Sequence, residues 1–91
     1  MSADSCWFVY ILRTRTGSLY TGISTDVERR VHEHREGKRG ARSLRGQAPL
    51  QLVWHCSAPD RSAASKLEAA VKRLPKRDKE RIVRGELIPT V

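Results

Sequence analysis

The sequence predicts an α/β domain of the α+β type, in which a small antiparallel sheet packs against helices. Three short segments rich in aromatic and β-branched residues predict strands, and a glycine-containing turn joins the first two. Three other segments carry helix start and stop signals or apolar residues at helical spacing. The chain has 91 residues, enough for one modest core, so residues 1–91 are expected to form one domain.

The first two strands are expected to form a β-hairpin. Residues 6–12 (CWFVYIL) and 18–23 (SLYTGI) flank the segment RTRTGS, whose Gly17 suits a tight turn. Residues 50–56 (LQLVWHC) predict the third strand. Each of these runs is short and bounded by turn-forming residues, which is typical of strands in a small sheet.

Helix one is predicted over residues 25–36. Thr25 and Glu28 have the spacing of a capping box, and Asp26 suits the positive end of the helix dipole. Gly37 is a natural C-terminal stop. The following segment, residues 37–49, has three glycines, four basic residues and no periodicity, which predicts a mobile basic loop.

Helix two is predicted to begin at Asp60 and to end or kink at Pro75. Its apolar residues recur at helical spacing: Ala63, Leu67, Ala70, Val71 and Leu74. A third short helix is predicted over residues 76–84. Ile82 and Val83 are its only apolar residues, so we expect it to dock by one edge and to expose a basic surface.

The charge of the chain favours a polyanionic partner such as nucleic acid. It carries 18 Lys and Arg against 10 Asp and Glu, a formal net charge of +8. Seven basic residues against two acids lie between residues 29 and 45, and again between residues 72 and 84. The basic residues from these blocks that we expect to contact nucleic acid are Arg29, Lys38, Arg39, Arg42, Arg45, Lys72, Lys76, Arg77 and Lys79.

The two cysteines do not resemble the framework of a disulfide-rich secreted protein. Cys6 and Cys56 both fall in predicted strands, and we expect free buried thiols in a reducing cytoplasm, with a disulfide between paired strands as the less favoured alternative. The sequence has no apolar run of membrane-spanning length and no signal-peptide pattern, so no membrane association is expected.

Arg30 is expected to lean toward the core side of helix one. With Val27 and Val31 defining the buried stripe, Arg30 lies about 60° and His34 about 20° from Val27, whereas Arg29 lies about 160° away and should be solvated. A guanidinium near an apolar stripe needs a partner, and an internal carboxylate or a phosphate would serve equally well. His34 lies one turn later and could converge on the same point, although a lone histidine is more often structural.

Two further kinds of residue have both structural and functional interpretations. Tyr10 and Tyr20 lie on the two arms of the hairpin and could be close together, with Gly22 allowing a backbone or ligand to approach, but strand tyrosines usually serve in packing with the hydroxyl at the surface. Glu68 lies at the edge of helix two's apolar stripe. An ion pair with Lys72 at i+4 is the simpler interpretation, and a single carboxylate ligand for Mg²⁺ is the other.

Several of these segments together resemble the GIY-YIG nuclease family. VYIL at residues 9–12 is followed by YTG at residues 20–22 and then by TDVERR, which places Arg30 eight residues beyond Gly22. Glu68 in a downstream helix completes the set. The continuation HEHREGKRGA, LVWH and LEAAVKRLPKRDKERIV makes the chain similar almost from end to end to the small stand-alone members of this family, the YhbQ/YazA-like proteins.

The resemblance implies a three-stranded antiparallel sheet flanked by helices and a metal-dependent cut in a phosphodiester. It assigns Arg30 to the scissile phosphate and Glu68 to Mg²⁺ or Mn²⁺. Tyr10 and Tyr20 would line the attacking side, and one of them would position or deprotonate water. His34 matches a histidine one turn after the arginine in some members and is a candidate helper of the tyrosine base.

The function expected from this resemblance is a metal-dependent DNA endonuclease that is guided by structure or only weakly by sequence. Specificity would come from the segment 37–49 and from the helix after Pro75. One alternative is a non-catalytic nucleic-acid-binding module on the same fold. Another is a structural or regulatory subunit that docks on a DNA-repair or translation partner through its basic surface.

Overall fold

The computed structural model describes residues 6–36 and 49–90 and has the predicted α+β architecture. A three-stranded antiparallel sheet has the strand order β2-β1-β3. In chain order the elements are β1 (Trp7–Arg13), β2 (Leu19–Ser24), α1 (Val27–Glu36), β3 (Gln51–Ala58), α2 (Arg61–Arg73) and α3 (Lys76–Val83). The predicted elements are therefore confirmed, with boundaries shifted by one or two residues in most cases.

The β1–β2 hairpin closes as the glycine predicted. Gly17 has a φ of 89°, and its backbone N–H donates to the carbonyl of Thr14. A positive φ strains any residue with a side chain, so glycine is the residue suited to this turn. The register that follows pairs Tyr10 with Gly22, and Leu12 with Tyr20.

The central strand β1 supplies core residues to both faces of the sheet. On one side, here called the α1 face, Tyr10 and Leu12 pack with Val31 of α1 and with Leu50. On the opposite side, here called the α2/α3 face, Val9 and Ile11 pack against the second and third helices. The helix residues buried against this face are Ala64, Val71 and Ile82. Alternate residues of a strand point to opposite faces, which explains how VYIL serves both cores.

The start of α1 differs from the predicted capping box. Asp26 Oδ1 accepts a hydrogen bond of 3.1 Å from the backbone N–H of Arg29, and the Asp26 carbonyl accepts from Arg30 N–H. Asp26 is therefore the N-cap, and Thr25 lies outside the helix. The Ser24 hydroxyl accepts from the Asp26 backbone N–H at 2.9 Å, which is the contact that a capping-box glutamate would otherwise make.

The other two helices begin and end close to the predicted positions. The Asp60 side chain caps α2 by accepting from Ala63 N–H at 2.8 Å. Pro75 lies between α2 and α3, where its fixed φ and missing N–H fit the start of α3. Ile82 is buried and Val83 is half-buried, so α3 docks by the edge that the sequence predicted.

The predictions for the two cysteines are confirmed only in part. Cys6 and Cys56 are free thiols, as expected, but both are only partly buried. Cys6 also precedes β1 instead of lying within it.

The predicted helix stop at Gly37 and nearly all of the predicted loop 37–49 lie outside the described residues. Within the described part of the chain, no helix has the length and apolar character needed to cross a membrane.

Candidate functional site

Three aromatic rings from three different elements meet on the α1 face. Tyr10 comes from β1, Tyr20 from β2 and His34 from α1. The ring centroids of Tyr10 and Tyr20 are 6.4 Å apart, those of Tyr10 and His34 are 6.2 Å apart, and those of Tyr20 and His34 are 5.4 Å apart. Tyr20 meets His34 edge-on, a favourable geometry for aromatic rings. The fold therefore brings together three of the residues predicted from the sequence.

Tyr10 is held inside this group and is not an ordinary surface tyrosine. Its side chain is only 1% exposed, and its hydroxyl lies 3.0 Å from Nε2 of His34. The expectation of a half-buried tyrosine with a surface hydroxyl is wrong for Tyr10, whereas Tyr20 is half-buried. Burial, assisted by Tyr20, raises the pKa of Tyr10 to about 12, and the positive charge of Arg30 opposes this shift.

Gly22 gives the Tyr10 ring its position. A Cβ atom added at Gly22 would lie 2.6 Å from the Tyr10 Oη and 2.7 Å from Cζ. The phenol therefore lies directly over the β2 backbone, in space that any side chain at this position would occupy. The sequence predicted a close approach at Gly22, and the group that approaches is the Tyr10 ring.

Arg30 has an internal carboxylate partner, one of the two kinds that the sequence left open. Its Nη1 lies 3.1 Å from Oε1 of Glu33, and the two side chains are 30% and 23% exposed. The guanidinium also hydrogen-bonds to Tyr10. Although burial disfavours its charge, these contacts with Glu33 and Tyr10 raise the pKa of Arg30. Arg29 is exposed, as its position on the helix predicted.

His34 is buried and its pKa is lowered from the ordinary histidine value. Burial is the main cause, and the positive charge of Arg30 adds to it, while the carboxylate of Glu33 acts in the opposite direction. A histidine with a lowered pKa is neutral near pH 7 and can accept a proton at one ring nitrogen. The short contact with the Tyr10 hydroxyl places that nitrogen next to a proton donor.

Glu68 lies on α2, which packs on the α2/α3 face of the sheet. Its negative charge contributes to the raised pKa of Tyr10, although less than burial does. Its Oε2 lies 3.3 Å from Nζ of Lys72, so the ion pair predicted from the i+4 spacing is confirmed. The Glu68 side chain is 23% exposed, which leaves the carboxylate accessible from solvent.

A divalent metal at Glu68 is compatible with this arrangement. In residues 6–36 and 49–90 no cluster of three or more His, Cys, Asp or Glu side chains could enclose a metal ion. Mg²⁺ commonly keeps several waters and binds through one or two carboxylates and substrate phosphates. A single accessible carboxylate fits that kind of site.

The basic residues predicted to bind nucleic acid divide into two groups. Lys38, Arg39, Arg42 and Arg45 lie outside the described residues. Of the others, Lys72, Lys76 and Arg77 are exposed together with Arg29, and Lys79 is half-buried. Lys76 lies 3.9 Å from a carboxylate oxygen of Glu80, an exposed contact that leaves the ammonium available to solvent.

Two acidic residues with clear partners were missed from the sequence. Glu33 holds Arg30, and the i,i+3 spacing of the pair could have revealed it. Glu80 of α3 makes a bidentate pair with Arg13 of β1, at 2.8 and 2.7 Å. These two residues are 67 positions apart in the chain, so no local spacing could have predicted their contact.

The aromatic group is distinct from a cleft on the described surface. That cleft has a volume of about 310 Å³ and lies at the start of α1 against β1 and β3. Phe8, Val27 and Leu52 form much of its apolar lining, with His55 at its margin. None of the residues proposed for catalysis lines this cleft. The candidate site is therefore identified by the distances between its side chains and not by a cavity.

Comparison with known proteins gives consistent matches. Residues 6–81 match the family model described as the GIY-YIG catalytic domain. A UPF0213 protein of Pectobacterium carotovorum is 58% identical over 80 residues, which cover 88% of this chain and 80% of that protein. A UPF0213 protein of Yersinia enterocolitica is 55% identical over 84 residues, covering 92% and 86% respectively.

A solved structure agrees with these sequence matches. The solution NMR structure of a UPF0213 protein from Bacillus halodurans is 41% identical to this chain, with a TM-score of 0.57. The match covers 89% of this chain and 85% of that protein. The similarity therefore extends over the sheet and the helices that carry the candidate site residues.

Proposed function

Because the chain belongs to the GIY-YIG nuclease family, we propose that it hydrolyses phosphodiester bonds of DNA in a reaction that requires Mg²⁺ or Mn²⁺. The reaction would be guided by the shape of the DNA or only weakly by its sequence. The observation that carries this proposal is the contact of 3.0 Å between the Tyr10 hydroxyl and Nε2 of His34, with Arg30 bonded to the same phenol.

Arg30 would bind the scissile phosphate. Its planar guanidinium presents several N–H donors in a fixed fork that matches phosphate oxygens. The same donors would stabilise the additional negative charge that develops as water attacks the phosphorus. Glu68 would hold the metal ion, which when bound would polarise the phosphate and stabilise the leaving oxygen.

Tyr10 and His34 would move the proton of the attacking water. Forming a free phenolate first is unfavourable, because the pKa of Tyr10 is raised to about 12. Instead, the Tyr10 hydroxyl would pass its own proton to Nε2 of neutral His34 while Oη takes the proton from water. Tyr20 packs edge-on against His34 and would keep the imidazole in the orientation that this transfer needs.

One observation favours the alternative of nucleic-acid binding without cleavage. Tyr10 is 1% exposed, so an attacking water has little access to its hydroxyl. In that case the exposed Arg29, Lys72, Lys76 and Arg77 would engage phosphates, and affinity would fall steeply with salt.

Cleavage of a panel of labelled DNAs separates these two functions. The panel contains single-stranded, duplex, flap and branched DNA, each incubated with Mg²⁺, Mn²⁺ or EDTA. We expect metal-dependent cutting by the natural protein, loss of cutting in Arg30→Ala and Glu68→Gln, and retention of most DNA binding in both variants. Removing a single charge-stabilising donor typically lowers the rate by about 100- to 1000-fold.

The matched control is Glu86→Gln, which makes the same chemical change at an exposed glutamate paired with Arg84. It should cut like the natural protein, whereas the Glu68→Gln protein, purified in the same way, controls for contaminating nucleases. Equal cutting by the natural protein and the Glu68→Gln protein would refute the nuclease assignment. DNA binding with no cutting of any substrate would instead support the binding module.

A further inference from the structure

We propose that Glu33 is a positioning residue that holds the Arg30 guanidinium against the Tyr10 phenol before nucleic acid binds. The inference rests on the proposed nuclease function and concerns how its phosphate-binding arginine is kept in place. Glu33 would touch neither the substrate nor the reacting atoms, and it would act through Arg30.

The geometry of α1 supports this role. Glu33 lies three residues after Arg30 and therefore on the same side of the helix, where its Oε1 lies 3.1 Å from Nη1. The guanidinium also bonds to Tyr10. It is thus held from two directions, by a carboxylate on its own helix and by a phenol on β1.

Arg30 needs such an anchor because its side chain is long and 30% exposed. An arginine side chain that is free to rotate loses conformational freedom when it captures a phosphate, and it must find the productive rotamer each time. The phenol is a neutral acceptor, whereas the Glu33 carboxylate carries a negative charge and makes an ion pair as well as a hydrogen bond with the guanidinium. Glu33 therefore supplies the stronger of the two contacts.

A second side-chain pair within α1 shows what a surface contact looks like on the same helix. His32 and Glu36 are 4.0 Å apart, with side chains 72% and 52% exposed. The Arg30–Glu33 pair is shorter and far less exposed. Glu36 is therefore a suitable control, since it carries the same charge on the same helix without contact to the site.

Removing the negative charge of Glu33 should affect DNA affinity and cleavage rate differently, and this difference distinguishes a positioning role from a purely electrostatic effect on DNA binding. A carboxylate beside Arg30 repels an incoming phosphate, so its removal should leave DNA affinity unchanged or slightly increased. If Glu33 positions the guanidinium, however, the rate of cleavage should fall, because a misplaced transition-state contact lowers kcat more than it weakens binding. We expect kcat of Glu33→Ala to fall by about 10- to 100-fold with KM unchanged or lower.

The test combines kinetics with NMR of the Arg30 side chain in the intact protein. Glu33→Ala should increase the motion of the Arg30 Nε–H group, and it should lower the pKa of His34, because the Glu33 carboxylate opposes the effects of burial and of the Arg30 charge there. Glu33→Gln keeps an oxygen acceptor and should recover part of the order and rate. Glu36→Ala should change neither the motion of the Arg30 side chain nor the rate of cleavage.

Each result has a defined meaning. Unchanged Arg30 motion in Glu33→Ala, or equal losses of kcat in Glu33→Ala and Glu36→Ala, would overturn the proposal. A melting temperature of Glu33→Ala within about 4 °C of the natural protein is expected for the loss of one partly exposed pair, and shows that the fold is intact. If the natural protein cuts no DNA, the nuclease assignment fails, and greater Arg30 motion in Glu33→Ala still supports the positioning contact.

Discussion

The two faces of the sheet use the same central strand for different purposes. On the α2/α3 face, Val9 and Ile11 of β1 pack in clusters with apolar side chains from the helices. On the α1 face, the neighbouring residue Tyr10 meets a buried imidazole, a half-buried tyrosine and a guanidinium. Adjacent residues of one strand thus contribute to an apolar core on one side and to the group of Tyr10, Tyr20, Arg30 and His34 on the other, while Glu68 comes from α2.

This division has an energetic basis. Buried polar groups are tolerated only when they are hydrogen-bonded, and a fully apolar core on the opposite face provides stability that does not depend on them. The candidate site can therefore contain a buried phenol and a half-buried guanidinium without relying on either for the fold. We expect substitutions on the two faces to separate stability from activity.

Ile11→Ala should give the largest change and should act on stability alone. Ile11 is fully buried between Val71 and Ile82. Removing its side chain should lower the free energy of unfolding by about 2–5 kcal/mol, measured by urea denaturation, because apolar burial is lost and a cavity remains. DNA cleavage per folded molecule should be unchanged.

Tyr10→Phe is the matching change on the α1 face. It removes only the hydroxyl, so cleavage should be lost while the free energy of unfolding changes by about 1 kcal/mol. Loss of cleavage by the folded fraction of Ile11→Ala would contradict the separation of the two faces.

The division between faces could be predicted from the sequence only in part. The alternation within VYIL, the glycine turn and the helix signals at Asp60 and Pro75 are local patterns, and the structure confirms each of them. The angular position of Arg30 on α1 was likewise sufficient to identify it as a residue in need of a partner. These features depend on backbone geometry over a few residues.

What the sequence could not predict depends on contacts between distant segments. The burial of Tyr10 follows from the way its ring crosses β2 at Gly22 and meets His34, 24 residues away. The i,i+3 spacing could have revealed Glu33 as a partner of Arg30, but it could not show whether Arg30 also serves a phosphate, because a ligand oxygen satisfies the same donors. The cap at Asp26 was missed because Ser24 takes the N–H that a capping-box glutamate would bind.

Gly22→Ala should not follow the separation between the two faces, because this single substitution should lower both the stability of the fold and the activity of the site. Its Cβ would lie 2.6 Å from the Tyr10 Oη, and the buried ring has little space into which to move. Overpacking of this kind typically costs about 1–3 kcal/mol, and the displaced hydroxyl should lose its contact with His34. Urea denaturation would measure the first effect and DNA cleavage the second.

A double-mutant cycle with Tyr10→Leu tests whether the ring is the cause. Leucine has no ring tip over β2, so adding Gly22→Ala to Tyr10→Leu should be neutral or slightly stabilising, because alanine suits a strand better than glycine. The same loss of stability in both backgrounds would show that the Gly22 backbone, and not the Tyr10 ring, determines the effect.

The smallest expected effect is a pH dependence of stability that arises on the α1 face. The pKa of His34 is lowered by burial and by Arg30, so above its ordinary value of 6.5 both the folded and unfolded forms are neutral. As pH falls below 6.5, the unfolded chain binds a proton that the folded protein resists, and the free energy of unfolding decreases until the pH reaches the folded pKa. One proton limits the slope to about 1.4 kcal/mol per pH unit.

Urea denaturation between pH 7.5 and 5 would measure this slope, using roughly half-unit steps because one group titrates over about two units. His34→Gln should remove it, whereas His55→Gln, at an exposed histidine on β3, should retain it. The groups that face His34 are Tyr10, Tyr20, Arg30 and Glu33. An unchanged slope in His34→Gln would mean that the imidazole is not held neutral, and the proposed proton transfer from Tyr10 would lose its acceptor.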